Sequence, residues 1–404
     1  MVEDNPWQQV LRHGNRANPY PFYAELRKTP VSRQPDGSYV VSTYKEIVAL
    51  LSDPRISSAP RQAAGSEAAE ADLKGFLSLD PPEHDRVRRQ ATWSYGPPHT
   101  PGRVAGMEPG LVRLVSRQMD ALRGKARIDI VEDFAYPIPV TVICELLGVP
   151  REDAPRFKAW AEALDASRDA HAQSLQECQG GDQRAQAIAE LRQYIAALIK
   201  RPRQQPGPGL LSELVTDHGP DGPMSPADMV DTGSLLLIAG HETTVNLITN
   251  GVLTLLRLPD VLDRLRREPD LAIRLVEELL RYEPPVHFLP NRWALADIDI
   301  AGTTIPRGSR VILLLASGSR DPARFRDPER FDPDREDNQH LGFGSGIHHC
   351  FGAPLARLEA QIALTELARR LENPRLVQDP PPYRQSAILR GPRHLLVEID
   401  GVCD

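Results

Sequence analysis

The chain has 404 residues, with 48 Lys+Arg against 55 Asp+Glu for a formal net charge of -7, and 41% hydrophobic residues. That composition excludes disordered, collagen-like and disulfide-scaffold classes, and a mildly acidic balance with no long basic tract argues against nucleic-acid binding as a primary role. The 38 prolines, about 9% of the chain against a usual ~5%, predict many irregular connections.

In chain order, residues 38–43 read as a strand and 45–51 as a short helix, inside a mixed first 80 residues. From residue 83 helical patterns dominate, with the best at 86–93, 137–147, 151–166, 184–200 and 360–371. Residues 169–182 hold Gly180, Gly181 and many polar side chains, and read as a loop between two helices. The longest expected helix, 226–256, has Ser225 as its N-cap and is apolar around much of its circumference, so it should cross the interior. After a Pro-broken stretch at 283–290, residues 298–300 and 310–315 read as strands, and 321–335 is a Pro/Asp/Arg-rich meander without periodicity. No apolar run approaches the ~20 residues of a membrane span, and the acidic, polar residues 1–6 do not read as a secretory signal. Cys144, Cys178, Cys350 and Cys403 form no CxxC pair, so free cytosolic thiols are expected. No linker divides the chain, which points to one large, mainly α domain with small β-sheets.

The most informative stretch is Phe343-Gly344-Ser345-Gly346-Ile347-His348-His349-Cys350-Phe351-Gly352, between the meander and a helix. Glycines let backbone approach a flat ligand closely and adopt positive φ. A cysteine just ahead of a helix start has its thiolate stabilised by exposed N–H groups and the helix dipole. Two plainer readings compete: a buried structural cysteine in a glycine-rich turn, or a zinc site of His348, His349 and Cys350. Three adjacent ligands cannot easily surround one tetrahedral ion, and no second ligand pair stands at zinc spacing.

Other pairs sit at helical spacing. Glu278 and Arg281 are three apart, and His84 and Arg88 four apart, so each pair shares a helix face. Ala239-Gly240-His241-Glu242-Thr243-Thr244 lies inside the long helix, and it is not the His-Glu-x-x-His of zinc proteases because position 245 is Val. A buried Glu beside Thr is costly unless hydrated or partnered. A threonine that bonds back to the preceding turn opens a helix locally, and Gly240 removes a side chain at that spot.

Phe343 to Gly352 resembles the haem-ligand loop of the cytochrome P450 monooxygenases, with every fixed position of that motif filled. The resemblance spans nearly the whole chain, including residues 129–150 and 386–391. It implies the cytochrome P450 fold as a single domain over 1–404, with small β-rich parts at 1–80 and 292–320 and helices at 83–290 and 340–372. It implies haem b as cofactor, Cys350 as axial thiolate to the iron, and His84, Arg88, Arg292 and His348 as partners of the haem propionates. Glu242 and Thr243 match the family's acid–alcohol proton-delivery pair. Glu278 and Arg281 match a buried pair joined by an arginine of the meander, here Arg330, in a structural network under the cysteine loop. Two departures are the segment 94–101 and Ser319, where the family usually has Asn.

The implied activity is insertion of one oxygen atom of O₂ into a hydrophobic organic substrate, a hydroxylation or epoxidation in secondary metabolism on a macrolide-like or similar molecule. By the same resemblance the pocket should be lined by the loops 56–79 and 169–182 and by 235–239, 286–289 and 386–388, the last three mostly apolar and aliphatic. Electrons are expected from a separate ferredoxin and its reductase, docking where Arg86, Arg89, His349 and Arg357 cluster. A cytoplasmic monomer without membrane or nucleic-acid partners is expected. The alternatives are a peroxide-driven hydroxylase, whose members carry Arg in place of Glu242, and a non-catalytic haem sensor, which would not need the Glu242–Thr243 pair.

Overall fold

The computed structural model describes residues 5–59, 75–95, 102–173, 181–200, 209–216 and 219–404. The chain divides into two units, neither continuous in sequence: Met1–Ile56, Gly110–Ile138 and Thr243–Asp404 in the first, Ser57–Pro109 and Pro139–Glu242 in the second.

The first unit holds the main sheet. Val31–Arg33 and Tyr39–Val41 form an antiparallel hairpin whose turn needs Gly37 at φ 82, a conformation open to glycine at little cost. Tyr39–Val41 runs parallel to Arg310–Leu313, which pairs antiparallel with Leu289–Ala294. Val31, Tyr39, Val41, Val311 and Leu313 pack with Ile47 and Leu50 of the helix Tyr44–Leu51 into one core. In the helix Leu271–Tyr282, Leu271, Leu275, Val276 and Leu279 recur at three- and four-residue spacing and are buried. The helix Glu242–Arg257 comes close at Gly251, where a Cβ would lie 2.9 Å from Leu364 and 3.0 Å from Leu279. Leu364 belongs to the helix Ala353–Arg370, which starts earlier than the expected 360 because Pro354 fits a first turn that needs no N–H.

The second unit is helical: Glu83–Tyr95, Ala154–Gln173, Gly181–Lys200, Leu210–Thr216, Pro226–Ala239 and most of Pro137–Leu147. Ser225 caps its helix as expected, accepting the Asp228 N–H at 3.1 Å. At Gly233 a Cβ would lie 2.9 Å from Ile195 and 3.0 Å from Leu211, so the missing side chain sets how closely these helices pack.

Two expectations change. The long helix is two helices, Pro226–Ala239 and Glu242–Arg257, interrupted at residues 240 and 241. The expected loop at 169–182 is helical up to Gln173 and again from Gly181, and residues 174–180 with Cys178 lie outside the described residues. The helix Arg103–Asp120 falls within the expected helical stretch 83–290 but was not singled out by its period, which Pro109 and the glycines at 106 and 110 disguise. Residues 96–101 of the departing segment also lie outside the described residues. Among the described residues no helix is long and apolar enough to cross a membrane.

Candidate active site

The cysteine loop is a series of tight turns in the first unit. Gly344 N–H donates to the Leu341 carbonyl at 2.8 Å, His349 N–H to Gly346 at 3.0 Å and Cys350 N–H to Phe343 at 2.9 Å. Gly344 and Gly346 both have φ 70, and at Gly346 a Cβ would run into the Leu51 carbonyl. Cys350 is exposed and stands three residues before the helix Ala353–Arg370, while Leu341 and Ala353 on either side are buried. The other described cysteines are held as thiols. Burial pushes Cys144 up to about 11, and a hydrogen bond to Glu372 raises Cys403.

Two carboxylates of Leu271–Tyr282 brace this loop and the meander. Glu278 and Arg281 are both fully buried and joined by two bonds of 2.7 Å. Arg281 also donates to the carbonyls of Ser319, Pro328 and Arg330, and Glu278 accepts from the Asp332 N–H at 2.8 Å and the Asn338 amide at 3.2 Å. The third cation is Arg335, 3.4 Å from Glu278, and not the expected Arg330. Arg330 contributes only its carbonyl, and its guanidinium is 70% exposed near Asp332. A period-free meander gives no face from which to tell the two arginines apart. Ser319, at the position where the family usually has Asn, accepts the Leu341 N–H on its hydroxyl at 3.1 Å.

Glu277, next in sequence, was not anticipated. It accepts two bonds from Arg357 at 2.6 and 3.0 Å and one from His340 at 3.1 Å, and Arg357 lies 4.6 Å from the centroid of the Phe343 ring. Burial opposes its charge, but the His340 and Arg357 bonds outweigh it and hold the carboxyl down at about 2. Glu277 therefore clamps the loop's first residue through Arg357.

Glu242 and Thr243 open the helix Glu242–Arg257, Glu242 buried at 7% exposure and Thr243 partly buried. The preceding helix ends with the Gly240 N–H on the Leu236 carbonyl at 3.0 Å. A threonine back-bond is expected at this opening. At the same place the His241 imidazole Nδ1 meets the Leu237 carbonyl at 3.0 Å. Threonine back-bonds occur deeper in the second helix, from Thr249 to Val245 and from Thr254 to Asn250.

His84 and Arg88 lie one turn apart on Glu83–Tyr95, as expected from their spacing. His84 is buried with Nδ1 2.8 Å from Asp85, and the Arg88 guanidinium lies 5.7 Å from the Phe76 ring centroid. Arg292 is buried on Leu289–Ala294, donating to the Asn291 carbonyl at 2.8 Å, and His348 is half-buried in the 3-10 turn Gly346–His348. Cys350, His348, Arg292 and Thr243 belong to the first unit, and His84, Arg88 and Glu242 to the second. The expected basic cluster does not stand as free charge. Arg86 pairs with Asp228 at 3.0 Å, Arg89 with Asp221 at 3.0 Å and Arg357 with Glu277 at 2.6 Å. In a chain with excess acid, each arginine has found its own carboxylate.

The donor set suits haem. Cys350 offers an exposed thiol on a glycine-rich turn ahead of a helix, the kind of single thiolate donor that ligates haem iron. Gly344 and Gly352 have open space where a Cβ would stand, leaving the loop's backbone approachable by a flat ring.

Comparison with known proteins agrees. A family model described as Cytochrome P450 matches residues 15–399. The chain is 40% identical over 365 residues to the cytochrome P450 monooxygenase PikC of Streptomyces venezuelae, covering 88% of this chain and 84% of that protein. It is 35% identical over 402 residues to 6-deoxyerythronolide B hydroxylase of Saccharopolyspora erythraea, covering 95% and 96%. The crystal structure of Mycobacterium smegmatis CYP164A2 in its ligand-free state matches with a TM-score of 0.88 and 38% identity, over 97% of this chain and 99% of that one.

Proposed function

The chain belongs to the cytochrome P450 family and is a haem b-dependent monooxygenase acting with O₂ on a hydrophobic substrate, and we propose that Cys350 supplies the axial thiolate while His84, Arg88, Arg292 and His348 hold the haem propionates. Cationic and donor groups on two carboxylates make charge-assisted bonds, the strongest class available to a protein. When bound, haem supplies O₂ activation and oxygen-atom transfer, chemistry that consumes two electrons and two protons and leaves one oxygen atom in product and one in water.

The protons are this chain's task. An apolar pocket gives bulk water no selective route, so a positioned relay is needed. Glu242 takes up protons at its carboxylate and passes them to the Thr243 Oγ1, which delivers them into the pocket. The mostly apolar segments 235–239, 286–289 and 386–388 are the ones we propose to meet the substrate. A single catalytic domain over 1–404 is part of the same proposal, supported by a family match that runs across both units.

The substrate is a large, lipophilic secondary metabolite of the macrolide type. Support comes from the aliphatic pocket segments and from the similarity to a hydroxylase of 6-deoxyerythronolide B. A ferredoxin and its reductase supply the electrons in the cytoplasm, and the pairing of Arg86, Arg89 and Arg357 removes the reason for placing the docking site on those residues. The observation that carries the assignment is the exposed thiol of Cys350 on a glycine-rich loop ahead of a helix, within a family match over residues 15–399. Cys350→Ser should abolish the thiolate signature of the reduced, carbonyl-bound spectrum. A surviving signature would show that another residue is the ligand.

A further inference from the structure

We infer that Glu277 and Arg357 are a positioning charge pair whose balance sets the electrostatic potential at the cysteine loop, and with it how readily the haem iron takes up its first electron. The inference rests on Cys350 as the axial thiolate, proposed above.

The pair reaches the loop at two points. Arg357 donates to both Glu277 oxygens, at 2.6 and 3.0 Å, and its guanidinium lies 4.6 Å from the centroid of the Phe343 ring. The Phe343 carbonyl accepts the Cys350 N–H at 2.9 Å, so the residue beside the cation is the one that holds the cysteine backbone. At the second point, His340 accepts the Gly342 N–H on Nδ1 at 3.1 Å. That leaves the imidazole hydrogen on Nε2, which donates to Glu277 at 3.1 Å. The His340 and Phe343 rings stand 6.0 Å apart. Glu277 thus orients two of the groups around Phe343.

The formal charges in this cluster are one cation and one anion. His340 in that tautomer is neutral, and Arg357 keeps its charge at every ordinary pH. The Glu277 carboxyl, held at about 2, is ionised at neutral pH. The two side chains are sheltered, Arg357 at 33% exposure and Glu277 at 28%, where a unit charge acts more strongly than in open water. Glu278, next in sequence and fully buried, is committed instead to Arg281 and Arg335.

Reduction adds one electron at the iron and takes it from the ferredoxin, which is oxidised; no proton moves and no bond to Cys350 breaks. A cation beside the loop favours the reduced state and an anion opposes it, so the members of the pair act against each other. A purely structural clamp differs in sign: loss of either partner loosens the same loop in the same direction.

The test is redox potentiometry at low ionic strength on haem-loaded Glu277→Gln and Arg357→Gln, with reduced, carbonyl-bound spectra of the same samples. Glu277→Gln leaves the Arg357 cation uncompensated and should raise the potential. Arg357→Gln leaves the Glu277 anion and should lower it. Each should move the reduction equilibrium about three- to tenfold, tenfold being ~59 mV for one electron. The double variant should return close to the native potential, and high salt should shrink both shifts. Shifts of the same sign in the two single variants, or none in either, would overturn the inference while a native thiolate signature leaves the Cys350 reading standing. A native protein without that signature would overturn the Cys350 reading and the inference with it.

Discussion

Around Glu278 and Arg281, all five guanidinium N–H groups and both carboxylate oxygens of two fully buried side chains are engaged, whereas at residues 240 and 241 the regular helical ladder is interrupted. The first region ties three irregular segments to one helix. Buried charges there are tolerable because each is fully partnered, and fully satisfied networks rigidify. The second region leaves a gap in regular structure beside an acid and a hydroxyl. One region braces the cysteine loop, and the other is where we propose that protons pass. Fixing the loop and opening the helix are separate tasks, and substitutions should affect one without the other.

The largest expected effect falls on the network. Arg281→Ala leaves the Glu278 carboxylate buried without its main partner and should cost about 3–5 kcal/mol. Denaturant unfolding midpoints and haem retention should both fall. Within the same network, Arg335→Ala should cost about 1–3 kcal/mol, while Arg330→Ala should stay within about 0.5 kcal/mol. A larger loss for Arg330→Ala than for Arg335→Ala would reverse the assignment of the third cation.

A smaller, pH-dependent effect comes from Glu277. Its folded-state value of about 2 lies below the ordinary carboxylate range, because the His340 and Arg357 bonds overcome the burial that opposes them. A depressed value contributes stability that is fully present above the unfolded-state value near about 4.3 and is lost as pH falls towards 2. Glu277→Gln should therefore flatten the acid limb of stability over that interval, its loss being largest at neutral pH, where the ionised carboxylate contributes in full, and vanishing towards pH 2. Superimposable acid limbs for the two proteins would contradict the clamp.

Much of this was legible in the residues. The spacing of Phe343, the glycines and Cys350 located the loop, and Glu278–Arg281 and His84–Arg88 were placed on their helices by three- and four-residue spacing. Ser225 announced its helix through its hydroxyl. The interruption at 240–241 was half visible: Gly240 and the Glu-Thr pair suggested an opening, but a full break into two helices cannot be read from apolar periodicity, which continues straight through. Arg335 and the Glu277–Arg357 clamp were missed for a different reason. Their partners are 50 or more residues away in sequence, and the meander that carries Arg335 has no period to show which side chains turn inward.

The separation of tasks is tested most directly by the product formed per NAD(P)H consumed in Thr243→Ala, measured on protein whose haem content has been determined. Haem content and substrate affinity should stay near native, reductant consumption should continue, and most of it should end as hydrogen peroxide. Full coupling of reductant to product in Thr243→Ala, at native haem content, would contradict the assignment of proton delivery to the opening between the two helices.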